Sequence, residues 1–264
     1  MVKNDDAYGE IRRLLSSADI ADLRKGLELV RREIARIGSG EARPLFEILS
    51  AVFYVDTLDR PDLVPVLDEA LSLVAGFGSW VIPALVDRLE AGDVKAQLAA
   101  GHALGRIGAD AIAPLMVKYD AVADPAVRPF VLYALGKIAS PLIAVAVPMM
   151  LEAIVSDELE TRDTATRALG RMADSIPAGG LPGDLCRAVV DRLHAALADT
   201  HAGVRSKAVR SLGKMARAGH MTHAERDTLA ATCRRLLGED GSFEWDRAWV
   251  VRREAEEALR LTGT

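Results

Sequence analysis

Between residues 94 and 108, apolar and small side chains recur at helical spacing. Val94, Leu98, Gly101, Gly105 and Gly108 form one line, and Ala100, Leu104 and Ile107 widen it. Lys95, Ala99, His102 and Arg106 run along a stripe away from that line. Asp93 stands where its carboxylate can accept from the free amides of a first helical turn. Gly108 sits where a left-handed stop is needed, and Pro114 opens the next helix, where a missing amide costs nothing. The same grammar returns downstream. Asp124 precedes Val127-Arg128, Asp157 precedes Arg162, and Asp199 precedes Val204-Arg205, while Pro44, Pro83, Pro114 and Pro148 mark helix starts.

The closing phrases repeat almost word for word. They are Ala103-Leu104-Gly105-Arg106-Ile107-Gly108, Ala134-Leu135-Gly136-Lys137-Ile138-Ala139, Ala168-Leu169-Gly170-Arg171-Met172-Ala173 and Ser211-Leu212-Gly213-Lys214-Met215-Ala216. Their central glycines lie 31, 34 and 43 residues apart, which is repeat spacing. A unit of that length holds two short helices and cannot bury its own apolar face, so stacking on neighbours is required. The pattern predicts an all-α fold, an α-solenoid of about six helix pairs, with no sheet. It reads as a single domain over 1–264: divergent repeats in 1–79, consensus repeats in 80–217 and a capping repeat in 218–264.

In the divergent part, Ile37-Gly38 followed by Pro44-Leu45 matches Ile107-Gly108 followed by Pro114-Leu115. Asp62 to Gly78 fits a second helix, and Trp80 to Leu89 the first helix of the next unit. Near the other end, Thr222-His223-Ala224-Glu225 has the form of a capping box opening a helix to about Leu237. The stretches Ile176 to Asp184 and Gly238 to Asp246 read as surface loops.

The Asp-x-x-Val-Arg openings and Ala-Leu-Gly-Lys/Arg-Ile/Met closings resemble the HEAT-repeat family, in particular the short bacterial and archaeal HEAT-like repeats related to those of phycobilin lyases. The resemblance is good over 80–260 and loose over 20–79. It implies a right-handed superhelix whose second helices line a concave face. It also implies a ladder between adjacent units, for which Asp124, Arg128, Asp157, Arg162, Asp199 and Arg205 are placed.

Carried through the repeats, the last two polar positions of each second helix form a column: Arg32 and Arg36, His102 and Arg106, Tyr133 and Lys137, Arg167 and Arg171, Arg210 and Lys214. None is acidic, although the chain carries a net charge of −5, and Glu257 and Leu261 break the column in the final unit. A cation in a last helical turn gains ~0.3–1 kcal/mol from the helix dipole, which accounts for Arg106, Lys137, Arg171 and Lys214. Arg32, Arg167 and Arg210 lie one turn earlier and are less well explained. The column is therefore either a solvated face or a basic groove for an acidic partner, with the acidic residues on turns and the outer face.

Aromatics are only 5% of the 264 residues. Trp80 is expected to pack at a helix start. Phe243, Trp245 and Trp249 either cap the last apolar layer or form a docking patch. Catalytic chemistry has little footing. No nucleophile elbow, phosphate-cradling glycine loop or CxxC occurs. His102, His194, His201, His220 and His223 show no metal-ligand spacing, with His201 and His220 expected to be exposed, and the His-Glu dipeptides of HEAT-like hydroxylases are missing. Cys186 and Cys233 read as isolated thiols. No metal or cofactor is expected. The acidic start, Asp5-Asp6, does not suit a signal peptide and no run is long enough for a bilayer, so a cytoplasmic protein is expected. These features favour a non-enzymatic scaffold for a protein partner. The alternatives are nucleic-acid binding in the manner of HEAT-like DNA glycosylases, for which only Tyr133 offers a groove aromatic, and an accessory role similar to the chromophore lyases.

Overall fold

The computed structural model describes residues 8–241 and 244–262. Among the described residues the regular structure is entirely helical, fourteen α-helices joined in part by 3-10 turns, as the repeat grammar requires. The chain forms two compact units, Met1–Pro114 and Leu115–Thr264.

In the first unit α1 (Gly9–Leu15), α2 (Ile20–Ile37), α3 (Arg43–Leu49), α4 (Val64–Ala75), α5 (Ile82–Asp87) and α6 (Val94–Ile107) follow one another. Helix α2 packs on α4 and α4 on α6, so the poorly matching Asp62 to Gly78 stretch is indeed a second helix. Asp93 caps α6, accepting from the Lys95 and Ala96 amides at 2.8 and 3.2 Å. Gly38 and Gly108 end α2 and α6 with φ of +85° and +87°, and Gly78, at +86°, opens the turn before α5, all in a region that penalises any Cβ. The buried face of α6 is rotated from the expected line. Val94 is exposed and Ala99 buried, and the core is formed by Ala96, Ala99, Ala100, Ala103 and Leu104. A helix with neighbours on several sides buries small residues around most of its girth, so a single apolar stripe misplaces its edges.

Helix α7 (Ile112–Ala121) crosses the division between the units. The second unit continues with α8 (Arg128–Leu135), α9 (Val147–Ala153), α10 (Leu159–Met172), α11 (Gly183–Ala195), α12 (Ala202–Arg217), α13 (His223–Leu237) and α14 (Trp249–Thr262). Here α8, α10, α12 and α14 stack in sequence, with α9, α11 and α13 packed beside them. Thr222 and Glu225 close the expected capping box on α13.

The repeated glycines are where this stack touches. A Cβ on Gly136 would lie 3.3 Å from the Cα of Ala168, and one on Gly213 would lie 3.4 Å from the Cα of Ala258. At Gly170 the approach is closer still, with a Cβ only 2.8 Å from the Cα of Ser211. Each glycine thus receives the small residue two places before the glycine position of the next helix. In α14 that position is Arg260, which is exposed, so the described stack ends with a polar outer face.

One edge of the stack carries the expected ladder, with different rungs. Arg162 donates to Asp199 at 2.7 Å, and Arg205 donates to both carboxylate oxygens of Asp246 at 2.6 and 2.9 Å. Each arginine also donates to carbonyls of its own preceding loop, Asp157 for Arg162 and Asp199 for Arg205. Arg252 repeats that loop contact on Asp246 at 2.7 Å. Arg128 does not join. Its guanidinium lies 5.5 Å from the Tyr119 ring, its buried Nε has no partner, and Asp124 caps the following turn instead.

Candidate functional site

The polar edge of the second helices holds the column, and the two units treat it differently. In the first unit the cations already have anions. Arg32 donates to Glu28 at 2.9 Å and Arg36 to Glu33 at 2.8 Å, each within one turn of α2. Arg106 reaches across to α4, where it donates to the Asp68 carboxylate and, at 2.6 Å, to Ser72 Oγ. His102 is half-buried beside these contacts. The expectation that carboxylates keep to turns and the outer face fails here, because α2 and α4 place them among the cations.

In the second unit the column splits. Arg210 makes a paired contact with Glu254 of α14 at 2.8 and 2.5 Å. Lys214 donates to Asp174 at 2.6 Å, and Arg217 shares that carboxylate. Lys207, which the column did not include, pairs with Asp163. Arg167 and Arg171 have no such partner. Among the described residues no carboxylate lies within ion-pair distance of either, and the Nε of Arg167 is buried without a hydrogen bond. Arg171 has its guanidinium pKa lowered, by burial first and then by the charges of Arg167 and Arg210. The group beneath it is an aromatic face: Arg171 lies 5.9 Å and Lys137 5.1 Å from the Tyr133 ring centre. Burial raises the Tyr133 hydroxyl pKa, so the ring carries no countercharge at neutral pH.

Arg167, Arg171, Lys207, Arg210, Ser211 and Lys214 line one cleft of about 230 Å³ between α10 and α12. The Ser211 hydroxyl is engaged, donating to the Thr166 carbonyl at 2.9 Å. The available donors are therefore the two unmatched guanidiniums and the spare hydrogens of the lysines. A cleft that leaves two buried-edge cations without anions stores repulsion, and an anion entering it would relieve that repulsion. Sequence reasoning found Arg167, Arg171, Arg210 and Lys214 but missed Lys207, one turn before Arg210, which extending the column by a turn would have included.

The remaining candidates fall outside this cleft. Trp245 and Trp249 are 58% and 61% exposed, and Arg253 lies 5.1 Å over the Trp249 ring. Phe243 lies outside the described residues. Trp80 packs at a helix start as expected, donating to the Ser39 carbonyl at 3.0 Å and meeting Phe46 and Phe77. His220 is buried rather than exposed, with Nε2 3.0 Å from the Ile176 carbonyl, because it fills the bend after α12. His201 is exposed. His223 does face Asp227 one turn on, at 3.7 Å, but no group of three or more metal-ligating side chains occurs among the described residues. Burial pushes the Cys233 thiol up to about 12, which makes it a poor nucleophile. Cys186 is half-buried and donates to the His220 carbonyl at 3.0 Å. Among the described residues no single helix is long and apolar enough to cross a membrane, and the acidic start lies outside them.

The all-helical stack of glycine-packed helix pairs is an α-solenoid. The sequence model of HEAT repeats matches residues 82–170 of the chain. A search of curated proteins finds no match. Among solved structures the chain is similar to Kap121p, with a TM-score of 0.63 and 14% identity, covering 98% of this chain and 29% of that one. It is also similar to a designed armadillo repeat protein solved in complex with the peptide (KR)4, at 19% identity and a TM-score of 0.49, covering 96% and 98% of the two chains. An engineered protein at 21% identity has a TM-score of 0.45 and coverages of 96% and 95%. At these identities the Kap121p likeness bears on the fold alone.

Proposed function

We propose that the chain is a non-enzymatic interaction scaffold that holds an acidic segment of a protein partner in the α10–α12 cleft. The observation that carries this reading is the pair Arg167 and Arg171, half-buried and unmatched by any described carboxylate. Lys137 and Tyr133 extend the surface on one side, Arg210 and Lys214 on the other. Arg32, Arg36 and Arg106 keep their own partners and serve their helices. The repeat fold supports the reading because a stacked scaffold offers a long surface with no need of catalytic groups.

Titration of a labelled oligoglutamate peptide tests it. The wild-type protein should bind, and the double variant Arg167→Gln/Arg171→Gln should bind at least about tenfold more weakly, since charged contacts at a cleft carry a few kcal/mol. Added salt should weaken binding as the attraction is screened. A nucleic-acid role would instead show tighter binding of an oligonucleotide, with a steep log-linear salt dependence. Unchanged peptide binding by the double variant would place the interaction elsewhere, with Trp245 and Trp249 the next surface to mutate.

A further inference from the structure

We infer that the α10–α12 cleft receives a phosphomonoester dianion, borne on a side chain of the partner; the inference rests on the acidic-partner reading above. The first ground is charge. Asp163, Asp174 and Glu254 are already engaged by Lys207, by Lys214 and Arg217, and by Arg210 and Arg253. Those five cations share three carboxylates, so the surroundings stay positive, and Arg167 and Arg171, one turn apart on α10, have no carboxylate of their own. A single carboxylate would neutralise one of them, whereas a phosphomonoester carries roughly −1.5 to −2 charges at neutral pH and can neutralise both.

The second ground is shape and donor chemistry. The cleft is about 230 Å³, room for a tetrahedral oxyanion and its ester stem but not for a helix. Guanidinium forks suit oxyanions because two parallel N–H groups meet two oxygens, and lysine ammoniums add point charges at the rim. The buried Nε of Arg167 still lacks an acceptor. Arg210 is held by Glu254 through its Nε and Nη2, so it supplies field rather than its fork.

The third ground separates this group from a nucleic-acid backbone. A phosphodiester chain carries one charge per phosphate and needs a track of unmatched cations along its length. No such track is present among the described column residues, since Arg210 and Lys214 beside the cleft are matched, as are Arg32, Arg36 and Arg106 in the other unit. Within the described column, the cations without a carboxylate partner are concentrated at Arg167 and Arg171.

The test compares three probes on the full chain: N-acetyl-O-phosphoserine amide, N-acetyl-glutamate amide and a single-stranded oligonucleotide. Binding is followed through the side-chain Nε–Hε resonances of Arg167 and Arg171 and by calorimetry. The phosphoserine probe should bind at least about tenfold more tightly than the glutamate probe, as a dianion on paired forks should. It should shift both resonances, and Arg171→Lys, which keeps the charge but loses the fork, should remove most of that preference. Circular dichroism melts of each variant check that the fold is retained. Equal binding of the two amides, both lost in Arg167→Gln/Arg171→Gln, would overturn the dianion and leave the acidic-partner reading standing. Binding unaffected by that double variant would overturn both. An oligonucleotide bound more tightly than the phosphoserine probe would also overturn the dianion proposal.

Discussion

Arg162 and Arg167 stand five residues apart on the same helix, and their surroundings differ in kind. Arg162 reaches Asp199 of the following repeat and two carbonyls of its own loop, so its charge and its hydrogens are accounted for. Arg205 does the same with Asp246. Arg167 and Arg171, on the other edge of α10, face cations and an aromatic ring. The first unit of the chain repeats the satisfied arrangement at the column positions Arg32, Arg36 and Arg106. Abundance of arginine is thus no guide to binding. Under the proposed function, what distinguishes a cation free to bind from a structural one is whether the fold itself supplies the anion.

The largest effect should come from breaking the helix contact that holds both edges in register. Gly170→Ala puts a methyl group 2.8 Å from the Ser211 backbone, so destabilisation of about 3 kcal/mol or more is expected from overpacking. An exposed helical glycine would instead gain up to ~1 kcal/mol from the same change. Gly213→Ala, whose methyl would sit 3.3 Å from the Ala258 side chain, should cost clearly less. Urea denaturation of the two variants checks the order, and equal stabilities would show that the Gly170 contact is not tight.

Removing a ladder rung comes next. Asp246→Asn leaves Arg205 without its carboxylate in a partly buried site and should cost about 2–3 kcal/mol. The sign with pH follows from the same pair. The hydrogen bonds from Arg205, opposed by burial, hold the Asp246 carboxyl below the ordinary aspartate value. Its stabilising contribution is therefore complete above roughly pH 4 and is lost as pH falls through the lowered folded value. The Asn variant should lose that part of the acid sensitivity, as a pH series of melts would show. An unaltered acid profile would mean the rung contributes nothing.

Converting a matched cation into an unmatched one sharpens the contrast further. Glu254→Gln strips the carboxylate from Arg210 at the wall of the cleft. Affinity for an anionic probe should rise, about two- to tenfold on the strength of one added charge at short range. Affinity unchanged in titration would show that the cleft does not respond to local charge. Arg32→Gln should do least. Its pair with Glu28 is exposed on α2, so a loss of only ~0.3–0.5 kcal/mol is expected in a melt, with no change in probe binding.

Much of the fold was legible because stacking imposes the same small residue at the same place in each repeat. Gly136, Gly170 and Gly213 announce helix contacts that the structure then shows, and Asp93, Thr222 and Gly108 announce where helices begin and end. The α6 face was read less well, since a sandwiched helix of alanines has no sharp polar boundary. The cations of the cleft were legible for the same reason as the glycines: they recur in register. Their anions were not. Glu254 meets Arg210 from 44 residues away and Asp199 meets Arg162 from 37, distances at which pairing depends on the rise and rotation of each repeat rather than on local spacing. The sequence pattern marked Glu257 as the break in the column, whereas the residue that reaches Arg210 is Glu254, one turn earlier. His220 could not be assigned to surface or core from its flanking residues, and the expectation that it is exposed fell to the bend after α12, which only three dimensions supply.

The most direct measurement sets the two edges against each other in one protein. Arg162→Gln/Arg205→Gln and Arg167→Gln/Arg171→Gln remove equal charge from the same two-helix region, and each double variant is assayed for thermal stability and for oligoglutamate binding. The ladder pair should melt several degrees lower and, below its transition, bind the peptide nearly as well as wild type, since a loss of a few kcal/mol moves the midpoint by that much. The cleft pair should melt at or slightly above the wild-type temperature, because repulsion between Arg167 and Arg171 is relieved, and should lose the peptide. A cleft variant that melts low and keeps the peptide would contradict the distinction and make Arg167 and Arg171 structural residues like the rest.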